Sequence, residues 1–170
     1  SRIAEIYDKQ GRRGGTLTID LEGMLASVPS AQDRFRREVG QAKRFVELLP
    51  PGVYAITSKL AESAYNRKSE SWNWFYAIGG YSTWGKGRAT VRGGPGAREF
   101  ALEFEYRFYD RYNWDSGKSV TIGPVTITDQ FMGEFHRQGL AKEFDCVGSI
   151  KRSFSWRYGQ RIPAQQYGLT

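Results

Sequence analysis

The chain has 170 residues, 39% of them apolar, with 25 Lys and Arg against 18 Asp and Glu for a net charge of +7. That length supplies one domain with a real core, and no stretch approaches the ~18 consecutive apolar residues of a membrane-spanning helix. Cys146 is the lone cysteine, which rules out an intramolecular disulfide, and the basic balance favours an anionic partner: nucleic acid, an anionic membrane face or a phosphorylated lipid.

Aromatic residues at 15% and 20 glycines predict twisted β structure with tight turns. Residues 1–29 read as an N-terminal arm or linker. They contain Gly11-Arg-Arg-Gly-Gly15 and a weakly alternating Thr16–Leu21, with no basic-then-apolar signal pattern at the start. Starting in mid-pattern at Ser1 suits a domain cut from a longer chain. Residues 30–170 read as a single domain.

Ser30 opens the best helix signal. Phe35, Val39, Ala42, Phe45/Val46 and Leu49 share one face, Ser30 with Asp33 resembles a capping box, and Pro50-Pro51 stops the helix. Arg34, Arg36, Arg37, Lys43 and Arg44 cover the rest as a solvated face. Gly52–Ser58 is extended, and residues 72–78 and 82–92 read as a hairpin around Gly79-Gly80. Gly93-Gly94-Pro95-Gly96 is a strong turn. In the clearest strand, Phe100, Leu102, Phe104, Tyr106 and Phe108 alternate with polar or small residues and lead directly into Asp110. Gly117–Ile127 is β-rich, broken at Gly123-Pro124. Thr128 caps a short late helix carrying Phe131, Met132, Phe135 and Leu140. A last strand carries Ile150, Phe154, Trp156 and Tyr158. The fold class expected is α+β: an N-terminal helix plus a mainly antiparallel, curled sheet (a partial barrel) with a late inserted helix.

Chemistry concentrates in Asp110-Arg-Tyr112-Asn113-Trp114-Asp115 and in His136-Arg137, the chain's only histidine with its neighbour. Carboxylates and an amide suit a hard cation, a histidine moves a proton, and an arginine holds phosphate. The plain alternative is a polar turn followed by a helix with one exposed histidine, with Tyr112 a core ring. Trp72, Trp74 and Trp84 read as aromatic core before any lipid-facing patch, and Cys146 as simply buried.

The block Phe75-Tyr-Ala-Ile-Gly-Gly-Tyr81, the alternating strand, Tyr109-Asp-Arg-Tyr-Asn-Trp-Asp115, Gly133-Glu134 and Lys142-Glu143-Phe144 together resemble the activity domain of the colicin M family, over residues 50 to 157. The resemblance implies a colicin M-like fold and an antibacterial toxin, delivered from a producer cell. It would hydrolyse the undecaprenyl-pyrophosphate linkage of lipid II at the outer surface of the inner membrane, in the target's periplasm, with Mg²⁺. It also implies an immunity protein, a monomer, and no nucleic-acid partner. Asp110 and Tyr112 match the family's Asp-x-Tyr-Asp; Asn113 replaces the second Asp, with Asp115 two residues on. The family's His-Arg pair would fall at Ser119-Val120, so His136-Arg137 serves only if the pair has moved to another element. On that reading Asp110 and Asp115 hold Mg²⁺, Asn113 orients a phosphate oxygen, and Tyr112 hydrogen-bonds the pyrophosphate. His136 is the general base and Arg137 the phosphate fork. The rival readings are a non-enzymatic module binding anionic lipid, and a ribonuclease-type toxin using His136.

Overall fold

A computed structural model describes residues 16–58, 69–71, 76–78, 81–113, 120–122, 125–127 and 143–169, with side chains over 16–58, 82–111 and 145–169. In chain order these form β1 (Thr16–Thr18), α1 (Leu21–Ser27), α2 (Pro29–Glu47), β2 (Gly52–Thr57), β3 (Ser69–Ser71) and β4 (Tyr76–Ile78). There follow β5 (Tyr81–Arg92), β6 (Glu99–Asn113), β7 (Val120–Ile122), β8 (Val125–Ile127), β9 (Glu143–Arg157) and a 3₁₀ turn at Ala164–Tyr167. The fold is mixed α+β. Its main sheet has the order β1–β9–β6–β5–β2–β3, with β4 on β5, and does not close. β2 and β5 pair antiparallel, but β1–β9 and β2–β3 are parallel, so the expected antiparallel sheet acquires parallel edges. β7 and β8, on either side of Gly123-Pro124 in sequence, form their own antiparallel pair. The late helix expected from Thr128 lies outside the described residues.

The chain divides into two compact units: residues 1–31, 77–83 and 107–149, and residues 32–76, 84–106 and 150–170. Periodicity along a long strand cannot reveal this division, because β6 and β9 each carry residues of both.

In the first unit, residues 16–27 hold β1 and α1. β1 lies parallel to β9 in the register Leu17↔Cys146, and the Ile19 amide extends the pairing by donating to the Val147 carbonyl at 2.8 Å. Asp20 then caps α1, its Oδ1 accepting from the Gly23 amide at 3.0 Å, which satisfies a donor the helix leaves open. Leu17, Ile19, Leu21, Met24 and Leu25 are all buried.

In the second unit, α2 presents Phe35, Val39, Ala42 and Val46, each fully buried, as the periodicity predicts. Burial on that scale is worth roughly 1.5–3 kcal/mol for each large side chain. The helix starts at Pro29, whose ring fits a first helical position, so Ser30 lies inside the first turn instead of capping it. Phe35 meets Tyr106 at a centroid distance of 4.9 Å, and Phe104 and Phe100 meet Phe154 and Trp156 at 6.1 and 5.3 Å. Trp156 Nε1 donates to Glu47 Oε1 at 3.1 Å. The tail after Gly159, patternless in sequence, ties down β9. The Ser155 amide donates to Gln166 Oε1, Arg152 Nε to the Tyr167 carbonyl, and the Tyr167 ring packs on Phe154. Glu38 is buried beside Arg34 at 3.2 Å.

Two glycines are set by geometry. Gly93 takes φ +91° in the turn that joins β5 to β6, a region disfavoured for other residues. A Cβ on Gly85 would stand 2.4 Å from the Phe104 ring, so Phe104 lies where a side chain on β5 would otherwise be. Gly85→Ala is expected to destabilise the chain by about 1–3 kcal/mol through overpacking, read from the midpoint of a denaturant melt. A melt unchanged by the substitution would show that the ring moves aside at no cost.

Candidate functional site

β6 carries the candidate residues, and its alternation decides what each can do. Phe100, Leu102, Phe104, Tyr106, Phe108 and Asp110 are buried in unbroken succession, and Asp110 is only 5% exposed. The strand continues to Asn113, so Asp110 lies inside it and on its buried side, not at its end. The cause is the period of two: a strand kept in phase by five apolar side chains turns the sixth inward as well. A carboxylate is costly to bury unless it is partnered, and buried carboxylates occur both at functional sites and in structural polar networks.

On β9 of the same unit, Cys146 is fully buried. Burial pushes its thiol up, and the charges of Asp110 and Asp145 push it further in the same direction. At neutral pH it is therefore protonated and a poor nucleophile, which fits a packing role. The charge effect also establishes that Asp110 lies within electrostatic reach of Cys146.

The opposite side of the strand is wet. Tyr109, 41% exposed, and Arg111 both point outward, and Asp145 of β9 gathers them. The Tyr109 hydroxyl and the Arg111 guanidinium each donate to Asp145 Oδ1, both at 3.0 Å. The hydrogen bond to Asp145 leads the causes that raise the Tyr109 pKa, because ionising the phenol would lose its donor beside an anion. No sequence motif marks this trio; only the spacing of Tyr109 and Arg111 hints that they share a face.

Asp110 is thus the one proposed catalytic residue whose side chain is described. Tyr112 and Asn113 are placed in β6 by backbone alone, while Asp115, His136 and Arg137 lie outside the described residues. Among the described residues no three of His, Cys, Asp and Glu gather as metal ligands. Asp110 is buried, whereas Asp145 bonds the exposed Tyr109. Of the expected Mg²⁺ pair, Asp110 offers a hard oxygen ligand that fits the ion, and Asp115 would have to supply the second.

Asp145→Asn should bring the Tyr109 pKa down toward its ordinary value, followed by ring-labelled tyrosine resonances across an alkaline titration. The sign follows from the raised folded value: this contact stabilises fully below the unfolded pKa of about 10 and is lost as pH rises through the folded one. A Tyr109 titration unchanged by Asp145→Asn would show that the hydrogen bond does not form in solution.

Comparison with family models, with curated proteins and with solved structures finds no match to this chain, so its function rests on the residues themselves.

Proposed function

We propose that this chain is an antibacterial toxin domain that hydrolyses the undecaprenyl-pyrophosphate linkage of lipid II and so blocks peptidoglycan synthesis. The observation that carries the reading is Asp110. This carboxylate opens the Asp-x-Tyr-Asn run and is held on the buried side of a long strand instead of in a solvated turn. A water-poor position strengthens its field on a cation or a polarised donor.

The reaction adds water across the bond joining lipid to pyrophosphate, releasing undecaprenol and the pyrophosphorylated sugar-peptide. In this reading His136 takes the proton from the attacking water, and Arg137 forks onto phosphate oxygens. Tyr112 and Asn113 orient the pyrophosphate. Mg²⁺, held by Asp110 and Asp115, would neutralise charge on the pyrophosphate. The site would act in the target's periplasm, at the outer surface of the inner membrane. An immunity protein would protect the producer.

A second reading has support of its own. The surplus of seven positive charges suits a non-enzymatic module that binds anionic lipid. Vesicle binding without any lipid II product would favour it.

With purified lipid II, Asp110→Asn is expected to cut turnover by on the order of 10² or more while the circular dichroism spectrum stays unchanged. Undiminished turnover in a folded Asp110→Asn protein would remove the central residue from the chemistry. Chelator should stop the parent enzyme and added Mg²⁺ restore it. Turnover indifferent to chelator would leave the acids as acid–base groups.

A further inference from the structure

In the unit formed by residues 32–76, 84–106 and 150–170, the sheet face opposite α2 carries two clefts, of about 650 and about 450 Å³. The larger one is lined by Lys86, Arg88, Lys151 and Arg152 together with Glu103 and Glu105. Lys86 Nζ lies 3.4 Å from Glu105 Oε2, and Ser153 Oγ donates to Glu103 at 2.7 Å. That is the ordinary cross-strand pairing of a wet sheet face.

In the smaller cleft every cation is an arginine. Arg92, Arg157 and Arg161 line it together with Gln160, and its one acid is Glu99. Glu99 reaches Arg157 at 3.7 Å between two exposed side chains. Arg92 and Arg161, both exposed, have no carboxylate partner among the described residues. Two of the cleft's three guanidinium groups are therefore left uncompensated.

Exposed apolar side chains lie at the same end of the sheet. Among the described residues the exposed large hydrophobic side chains are Leu48, Val53, Tyr109 and Tyr158, and all but Tyr109 belong to this unit. Pairing puts Gly52 beside Val91 and Val53 beside Thr90, and the Tyr158 amide donates to the Arg98 carbonyl. Leu48 precedes Gly52 by four residues. Leu48, Val53 and Tyr158 thus share the β5–β6 turn end of the sheet with Arg92 and Arg157.

We infer that this end of the sheet docks on an anionic phospholipid bilayer. One headgroup phosphate enters the cleft between Arg92 and Arg161, while Leu48, Val53 and Tyr158 enter the headgroup layer. Guanidinium matches phosphate oxygens two by two. A cleft of this volume suits a headgroup-sized ligand. Tyrosine beside aliphatic side chains and cations is the composition that interfacial binding rewards. Single-stranded nucleic acid instead calls for aromatic platforms interleaved with the cations, and two of the three apolar side chains here are aliphatic. The surface shares no residue with the Asp110 chemistry, so each can fail without the other.

The test sediments the full chain with vesicles of phosphatidylcholine alone and of phosphatidylcholine with phosphatidylglycerol. Binding should require the anionic lipid and fall as salt rises. The combined variant Arg92→Gln, Arg157→Gln, Arg161→Gln changes only exposed side chains and should keep the parental circular dichroism spectrum. Its affinity should fall on the order of 10²-fold, since each cation at such a surface strengthens binding roughly five-fold. Leu48→Ser with Tyr158→Ser should also weaken it. Equal affinity of the parent and the arginine variant overturns the inference, as does absence of binding to anionic vesicles. Single-stranded RNA that outcompetes the vesicles for the same arginines overturns it too.

Discussion

The uninterrupted alternation of β6 is the constraint on which the rest depends. From Phe100 to Asp110 every second side chain is buried, and a slip of one residue would put Glu103, Glu105 and Arg107 into the core instead. Each buried ring then dictates something about its surroundings. Tyr106 receives Phe35 of α2, Phe104 excludes a side chain at Gly85, and Phe100 stacks on Trp156. The same phase that builds the apolar row delivers a carboxylate to the buried side at Asp110. One strand thereby serves both as scaffold and as the carrier of the proposed chemistry.

Much of this was legible in the residues. The α2 face, β2, the Gly93–Gly96 turn and the interior of β6 all follow local periodicity or turn chemistry. What escaped is non-local. β1 and α1 have few residues of pattern, and they are secured by pairing with β9, more than a hundred residues away, and by the Asp20 cap. The tail around Gln166 and Tyr167 has no local signal because its partners, Ser155, Arg152 and Phe154, lie on β9.

The candidate site divides in the same way. Asp110 is visible as a residue type in a suggestive run, and its burial follows from its phase with Phe100 through Phe108. Tyr109, Arg111 and Asp145 needed the register between β6 and β9. Arg92, Arg157 and Arg161 come from β5, the end of β9 and the tail, and no spacing along the chain announces them together.

The account holds that His136, although some two dozen residues beyond Asp110 in sequence, serves the same site. His136 is the chain's only histidine, so its ring resonances identify themselves. Their pH titration, recorded for the parent and for Asp110→Asn, tests the claim most directly. A neighbouring carboxylate favours the imidazolium, so the parent should titrate above the ordinary value of about 6.5, and the variant should fall back toward it. Identical titrations in the two proteins would contradict the account and separate the histidine from Asp110.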